Sequence, residues 1–351
     1  MATRSPRDGR PVAVTTSPAT LRRRRLLVIT ALMIALVLVV LASLAVGAKP
    51  IPIGVVWDAL WSPTGTQDDT VVRSLRVPRT VLGVGVGIAL GLAGALMQGY
   101  TRNPLAEPGI LGVNAGAAFF VVVGIYALGV TNLFGYVWFA FAGAFVAGLL
   151  VFLLGSLGRG GPTPVALVLS GVALFVLLNA LTAALLLADA ETLDVYRFWA
   201  AGSLAGRDAG VALQVAPFLL VGTLLALLNA PGLNVLALGE DLAKGLGQRV
   251  ALTRWIGLAA ITLLAGSAVA ACGPIIFLGL VVPHVARALT GPDHRWLLPA
   301  AGLAGAVLLL AADVIGRVVV RPGELQVGIV IALVGAPFFV ALVRRRGLMN
   351  L

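Results

Sequence analysis

Asp313 and Arg317 stand one helical turn apart inside an otherwise apolar stretch, Ala311-Ala312-Asp313-Val314-Ile315-Gly316-Arg317. An ionisable residue in such a setting is costly and can mark a proton or ion relay. The same i,i+4 spacing also lets an acid and a base pair on one helix face. Nearly all the other acids, of 14 in total, lie in polar connecting stretches. The pair is therefore read as a structural contact and not as a coupling site. Neither of the two histidines, His284 and His294, has a metal-ligand partner at useful spacing. His294, in Gly291-Pro292-Asp293-His294-Arg295, reads as a solvated loop residue, and His284, after Pro283, as a satisfied interior histidine. Cys272 is alone, which excludes an intrachain disulfide and a multi-cysteine metal site. No Gly-x-x-x-x-Gly-Lys-[Ser/Thr] loop occurs, so the chain lacks that means of hydrolysing ATP. No Ser/His/Asp or His-Glu-x-x-His arrangement points to a protease.

The elements that hold these residues are set by composition. Sixty per cent hydrophobic and 11% charged residues over 351 positions exclude an ordinary soluble domain. A spanning helix needs roughly 20 apolar residues, and about ten such runs are present. They fall at 26–47, 80–100, 109–129, 134–155, 165–188, 211–229, 251–272, 274–290, 297–315 and 325–343. The expectation is an all-α polytopic membrane protein with one domain at 26–343. A disordered basic tail at 1–25 would precede it and a tail at 344–351 would follow. The net charge of +11 does not indicate nucleic-acid binding. Its clusters, Arg22 to Arg25 and Arg344 to Arg346, lack base-stacking aromatics and flank spans as cytoplasmic segments do. Both termini are accordingly placed in the cytoplasm, in a cell membrane. The run at 26–47 is too long for a secretory signal core and is followed by further spans, so it is read as a retained helix.

The connectors carry the remaining pattern. Arg102-Asn103-Pro104-Leu105-Ala106-Glu107-Pro108-Gly109 breaks two apolar runs and reads as a short cytoplasmic connector, because irregular backbone is excluded from hydrocarbon. Residues 48–79 read as an outer loop with Trp57 and Trp61 suited to the interfacial belt. Gly83, Gly87 and Gly91 share one face of the second span, for tight helix packing. Residues 156–164, with Gly158 to Pro162, form an inner turn. Residues 189–208 are an outer segment whose Tyr196, Phe198 and Trp199 suit a short interfacial helix. At 230–250, two short helices separated by glycines would make a compact knob, with Glu240 and Lys244 in the favourable helical order and Gly245 and Gly247 ending the turn. The two halves are loosely alike, Ala93-Gly94 leading to Pro104 and Pro108 as Ala265-Gly266 leads to Pro274 and Pro283. With Asp313 the one acid at a span, the chain looks to an external motor, and the knob is where one could act. An autonomous secondary carrier dependent on Asp313 is the contrasting class.

Several motifs in order resemble the permease family of ABC importers for ferric siderophores, haem and vitamin B12, the FecCD-type permeases. They are Arg76-Val77-Pro78-Arg79, Gly94-Ala95-Leu96-Met97-Gln98, Asn103 to Gly112, Trp199 with Gly202-Ser203-Leu204, Leu238-Gly239-Glu240 to Leu246-Gly247, Gly279 to His284, Asp293-His294-Arg295 and Gly335-Ala336-Pro337. The resemblance implies a type II ABC importer permease fold with ten helices. It further implies a second permease subunit, identical or a sister chain, two ATP-binding subunits, and an extracytoplasmic substrate-binding protein. ATP and Mg would sit on the partner ATPase, with no cofactor or metal on this chain. By position, Gly239, Glu240, Ala243, Leu246 and Gly247 would form the ATPase coupling element, and Arg76 and Arg317 would dock the binding protein. Asn103, Leu105, Thr163, Pro164 and Val165 would form the inner gate, and Gly171 with Ala173 would line a smooth path. The ligand is expected to be a ferric siderophore, with haem or vitamin B12 as the alternatives. Gln326 stands where the family usually carries proline, and Pro164 and Val165 replace small hydroxyl residues.

Overall fold

The structure is a computed structural model that describes residues 18–130, 132–157 and 164–345. All regular structure among them is helical. The chain begins with α1 (Pro18–Ala45), a long apolar helix on the flank of the molecule, and α2 (Ile53–Trp61). Next, α3 (Gln67–Thr70), a π-wound turn (Val71–Arg76) and α4 (Val77–Thr101) run on as a single rod. A 3-10 turn (Pro108–Leu111) leads to α5 (Val113–Leu128), α6 (Leu133–Ser156), α7 (Pro164–Ala188), α8 (Ala190–Ala200) and α9 (Ala209–Leu228). The knob region is α10 (Ala230–Leu236) and α11 (Glu240–Gly245), followed by α12 (Val250–Cys272), α13 (Leu278–Thr290), α14 (His294–Val319) and α15 (Val327–Arg345). Seven helices among the described residues are long and apolar enough to cross a membrane. Three shorter apolar helices, Val113–Leu128, Leu278–Thr290 and Val327–Leu342, stand where three further spans were expected.

The rod occupies the centre, with α9, α12, α13 and α14 packed around α4. A Cβ on Gly87 would fall on Ala306 and on Gly91 on Ala301, so α4 and α14 touch backbone to backbone. Gly94 meets the backbone of Gly279 on α13 in the same way. In lipid, helix association rests on this close van der Waals contact, since apolar burial alone gives no advantage over acyl chains. Leu82, Leu92, Leu96, Leu264, Leu297 and Leu298 fill the remaining space and are fully buried.

Several expected boundaries move, for identifiable reasons. The helix expected at 80 starts at Gln67. Thr66 Oγ1 accepts the Asp69 N–H at 3.2 Å while Asp69 Oδ2 accepts the Thr66 N–H at 3.0 Å, a reciprocal cap, and Pro78 fits the first turn of α4. Arg73, Arg76 and Arg79 hide this stretch from any hydropathy reading. α1 starts at Pro18, so Arg22 to Arg25 are helical rather than part of a tail, and α15 continues to Arg345. Residues 1–17 and 346–351 lie outside the described residues, as does most of the expected inner turn, 158–163. His294 is buried, not solvated: its Nδ1 lies 2.9 Å from Asn234 Oδ1 at the start of α14.

The polar tract at 102–109 is also more than a surface connector. Arg102 and Asn103 are exposed, but Ala106 and Pro108 are buried, and Pro108 packs on Gly279. Glu107 Oε1 accepts the Phe277 N–H at 2.9 Å. It thereby satisfies an amide at the start of α13, where the first turn has no intrahelical partners.

Candidate functional site

Two ends of the bundle carry the polar chemistry. At the end shared by the start of α1 and the finish of α4, the knob projects as two short helices. Gly239 (φ +122°) and Gly247 (φ +81°) bracket α11 in backbone conformations that side chains disfavour. Ala243 is fully buried and points α11 back at the bundle, where Leu236 and Val250 pack with it. Leu238, Leu242 and Leu246 project outward. Glu240 pairs with Lys244 at 3.0 Å and with Arg254 of α12 at 2.7 Å. The hydrogen bonds from Lys244 and Arg254 hold its carboxyl below the usual glutamate range. The base is tied down on three sides. Arg102 Nη2 donates to Leu236 O at 2.5 Å, Asn234 Nδ2 to Asp293 Oδ1 at 2.7 Å, and Asn229 Nδ2 to Thr253 O at 2.9 Å. The two-helix knob expected from the glycine spacing is thus present, on a rigid footing.

Asn103 and Leu105 lie directly beside that footing. The Asn103 side chain accepts the Leu105 N–H at 2.9 Å, a tight local turn that sets the direction of the 102–109 tract. Thr163 lies outside the described residues, and Pro164 opens α7. Val165 is 68% exposed and begins an outward-facing apolar row with Leu169, Val172 and Val176. Gly171 is not on that row. It is buried with its carbonyl toward Gly112, whereas Ala173 is exposed.

At the opposite end, Asp313 is 1% exposed and lies between two arginines. Arg79 reaches it through Nη2 at 2.8 Å and Nε at 3.1 Å, and donates through Nη1 to Glu324 at 2.7 Å. Arg317 donates through Nε to Asp313 at 3.0 Å and through Nη1 to Ser43 O at 2.8 Å, with Nη2 also on Asp313. Ser43 Oγ in turn meets Thr80 Oγ1 at 2.7 Å. Asp313 and Arg317 therefore pair as expected, while Arg79 and Glu324 are members that the sequence did not reveal. Arg76 donates to Leu44 O at 2.6 Å and to Lys49 O. Arg76 and Arg317, the residues expected to dock the binding protein, are both buried and donate to groups of the bundle itself. Nearby, Arg73 and Arg321 are exposed. A cleft of about 460 Å³ opens here, lined by Lys49, Arg76, Arg79, Arg317 and Glu324 among others.

With this geometry in place, comparison with known proteins is informative. Residues 35–345 match the FecCD transport family. The chain belongs to that family. Among its FecCD relatives is the ferric enterobactin transport system permease protein FepD of Escherichia coli K12, 49% identical over 322 residues, covering 92% of this chain and 96% of the relative. The hemin transport system permease protein HmuU of Yersinia pestis is 37% identical over 325 residues, covering 90% and 94%. A solved transporter chain assigned to the metal-chelate ABC type, in an inward-facing conformation, superposes with a TM-score of 0.80 at 31% identity. It covers 91% of this chain and 99% of its own. The FecCD assignment accounts for the all-helical multi-pass architecture, and permeases of this family are not themselves enzymes.

Proposed function

We propose that this chain is the membrane-spanning permease subunit of an ABC importer that carries a ferric siderophore into the cytoplasm. The observation that carries this reading is the knob. Leu242 and Leu246 project from a glycine-bracketed helix, with Leu238 just before it, and the adjoining α10 is bolted to α4, α12 and α14. An apolar cluster outside the spanning helices, on a rigid base, suits a partner that pushes on it. That partner would be an ATPase holding ATP and Mg, two copies per importer, with Gly239, Glu240, Ala243, Leu246 and Gly247 forming the contact. The knob end, with Arg22 to Arg25 and both terminal segments, would then face the cytoplasm. The substrate follows from similarity to the relative named for ferric enterobactin.

The apolar row on α7 supplies a surface for a second permease subunit, with the path between the two copies. Asn103 and Leu105, with Pro164 and Val165 at the start of α7, would close it on the cytoplasmic side. At the opposite end, the binding protein would rest on the cleft's rim, where Arg73 and Arg321 are exposed, with Arg76 and Arg317 shaping the floor. ATP-driven closure of the ATPase pair would move the knobs and rock the helices between two states.

The test is iron-55 siderophore uptake into proteoliposomes. The full assembly with binding protein and ATPase should concentrate the chelate only with ATP inside the appropriate compartment, and the permease alone should not. Uphill uptake by the permease alone would overturn the proposal and favour a self-powered carrier.

A further inference from the structure

Between α8 and α9 the chain turns through residues 201–208, and the turn is pinned. The Ser203 N–H donates to Cys272 O at 2.7 Å, the Gly328 N–H to Gly202 O at 3.0 Å, and the Ala205 N–H to Ser203 Oγ at 3.0 Å. Arg207 ends this turn and is only 9% exposed. Unlike Arg79 and Arg317, it makes no ion pair among the described residues. Its hydrogen bond there is from Nε to Ser203 O, at 3.3 Å. Burial alone pushes its proton affinity below the ordinary guanidinium value. A buried cation is expected to have a partner, and none is supplied from within.

Arg207 lines a cavity of about 690 Å³ together with Tyr136, Phe198, Trp199 and Gln326. That volume is typical of a small-molecule site. Tyr136 and Trp199 are 7% and 3% exposed, and neither the phenol oxygen nor the indole nitrogen has a hydrogen-bond partner among the described residues. Buried polar atoms are almost always paired, so two orphaned donors beside an unpaired cation are unusual. The one carboxylate in the wall, Asp194, is already paired with Arg197 at 3.1 Å. The cavity thus offers donors and aromatic faces in excess of acceptors.

We propose that this cavity is a reception site for an anionic ferric chelate. The chelate's oxygen ligands would accept from Arg207, Tyr136 and Trp199, and its flat organic faces would pack on the exposed ring of Phe198. The proposal rests on the siderophore reading above. An acidic side chain of a binding protein is a poorer occupant, since a carboxylate needs neither this volume nor aromatic walls. The charge-lined cleft of about 460 Å³ at the same end, whose wall Arg207 shares, suits that role better.

The probe is the iron(III) tris-catecholate trianion, titrated by equilibrium dialysis against the permease–ATPase complex in nanodiscs without binding protein. The unmodified complex should bind it, and should bind a neutral iron(III) trihydroxamate more weakly. Tyr136→Phe and Trp199→Phe remove donors that have no internal partner. Each should weaken binding of the trianion by about fivefold to tenfold; Tyr136→Phe should leave the melting temperature unchanged, as loss of a ligand hydrogen bond but not of a structural one would, whereas Trp199→Phe also vacates core volume and should lower it. Arg207→Gln should cost tenfold or more for the trianion, consistent with a charge-assisted bond, and little for the trihydroxamate. Absence of binding overturns the site, as does unchanged affinity in Tyr136→Phe and Arg207→Gln. So does a set of variants that weakens capture of the binding protein instead of the chelate. If the full assembly imports the chelate yet the complex alone never binds it, the site falls and the transport reading stands. If no ferric chelate is imported at all, both fall.

Discussion

Asp313 is shared by two guanidiniums that arrive from different parts of the chain, and this decides what the residue can do. A carboxylate that relays protons must be able to lose its charge. Here Arg79 and Arg317 both donate to it, with Ser43 and Glu324 accepting from them in turn, so its oxygens are committed to contacts within the bundle. The group ties α1, α4 and α14 together and favours a structural role over a coupling one. Removing one partner of a buried pair typically costs about 3–5 kcal/mol, because the other charges are left uncompensated. Asp313→Asn should therefore lower the yield and melting temperature of the purified permease sharply. Any fraction that folds should keep ATP-dependent uptake without acquiring or losing pH dependence. A stable Asp313→Asn protein with abolished uptake would restore the relay interpretation.

At the scale of elements, what could be read from the sequence depended on whether the governing contact was local. The Gly83, Gly87, Gly91 row and the glycine-bracketed knob were visible because their periodicity and caps lie within one segment. The helical stretch at 67–79 was not, since Arg76 and Arg79 are satisfied by α1, the residues just after it, α14 and the segment after α14, partners far away in sequence. The same holds for Glu107, whose acceptor role needs the start of α13, and for Gly171, whose burial depends on Gly112. Trp199 was read only as an interfacial aromatic and a motif residue, and Tyr136 and Arg207 carried no signal, because nothing local says that three donors from separate elements line one cavity. Gln326 was noticed only as a departure from the family, and the structure gives it a place in that cavity's wall. The glycine contacts make a direct test. A methyl on Gly94 would collide with the backbone of Gly279, whereas one on Gly54 would meet nothing. Gly94→Ala should destabilise by about 1–3 kcal/mol through overpacking, and Gly54→Ala should be neutral or stabilise by about 0.4–1 kcal/mol. Equal thermal shifts for the two variants in detergent would show that α4 and α13 can separate without penalty.

For the whole molecule, the question is how a push on the knob would reach the tract at 102–109, and one residue offers a direct link. Arg102 caps α4 in a left-handed conformation (φ +50°), precedes Asn103 and Leu105, and donates at 2.5 Å to Leu236 O at the end of α10. The knob and the proposed gate are thus joined by a charged hydrogen bond, a type worth about 1.5–3 kcal/mol. A conformational change is transmitted only if the two states differ in such contacts. In the reconstituted importer, Arg102→Ala should leave ATP hydrolysis near its normal rate and lower the siderophore imported per ATP by about tenfold, the equivalent of ~1.4 kcal/mol. The left-handed backbone is a separate variable, since any non-glycine residue there carries strain. Arg102→Gly relieves the strain but still lacks the guanidinium, so it should uncouple just as Arg102→Ala does. Recovery of transport in Arg102→Gly would assign the defect to backbone geometry and leave the knob and the gate without their link.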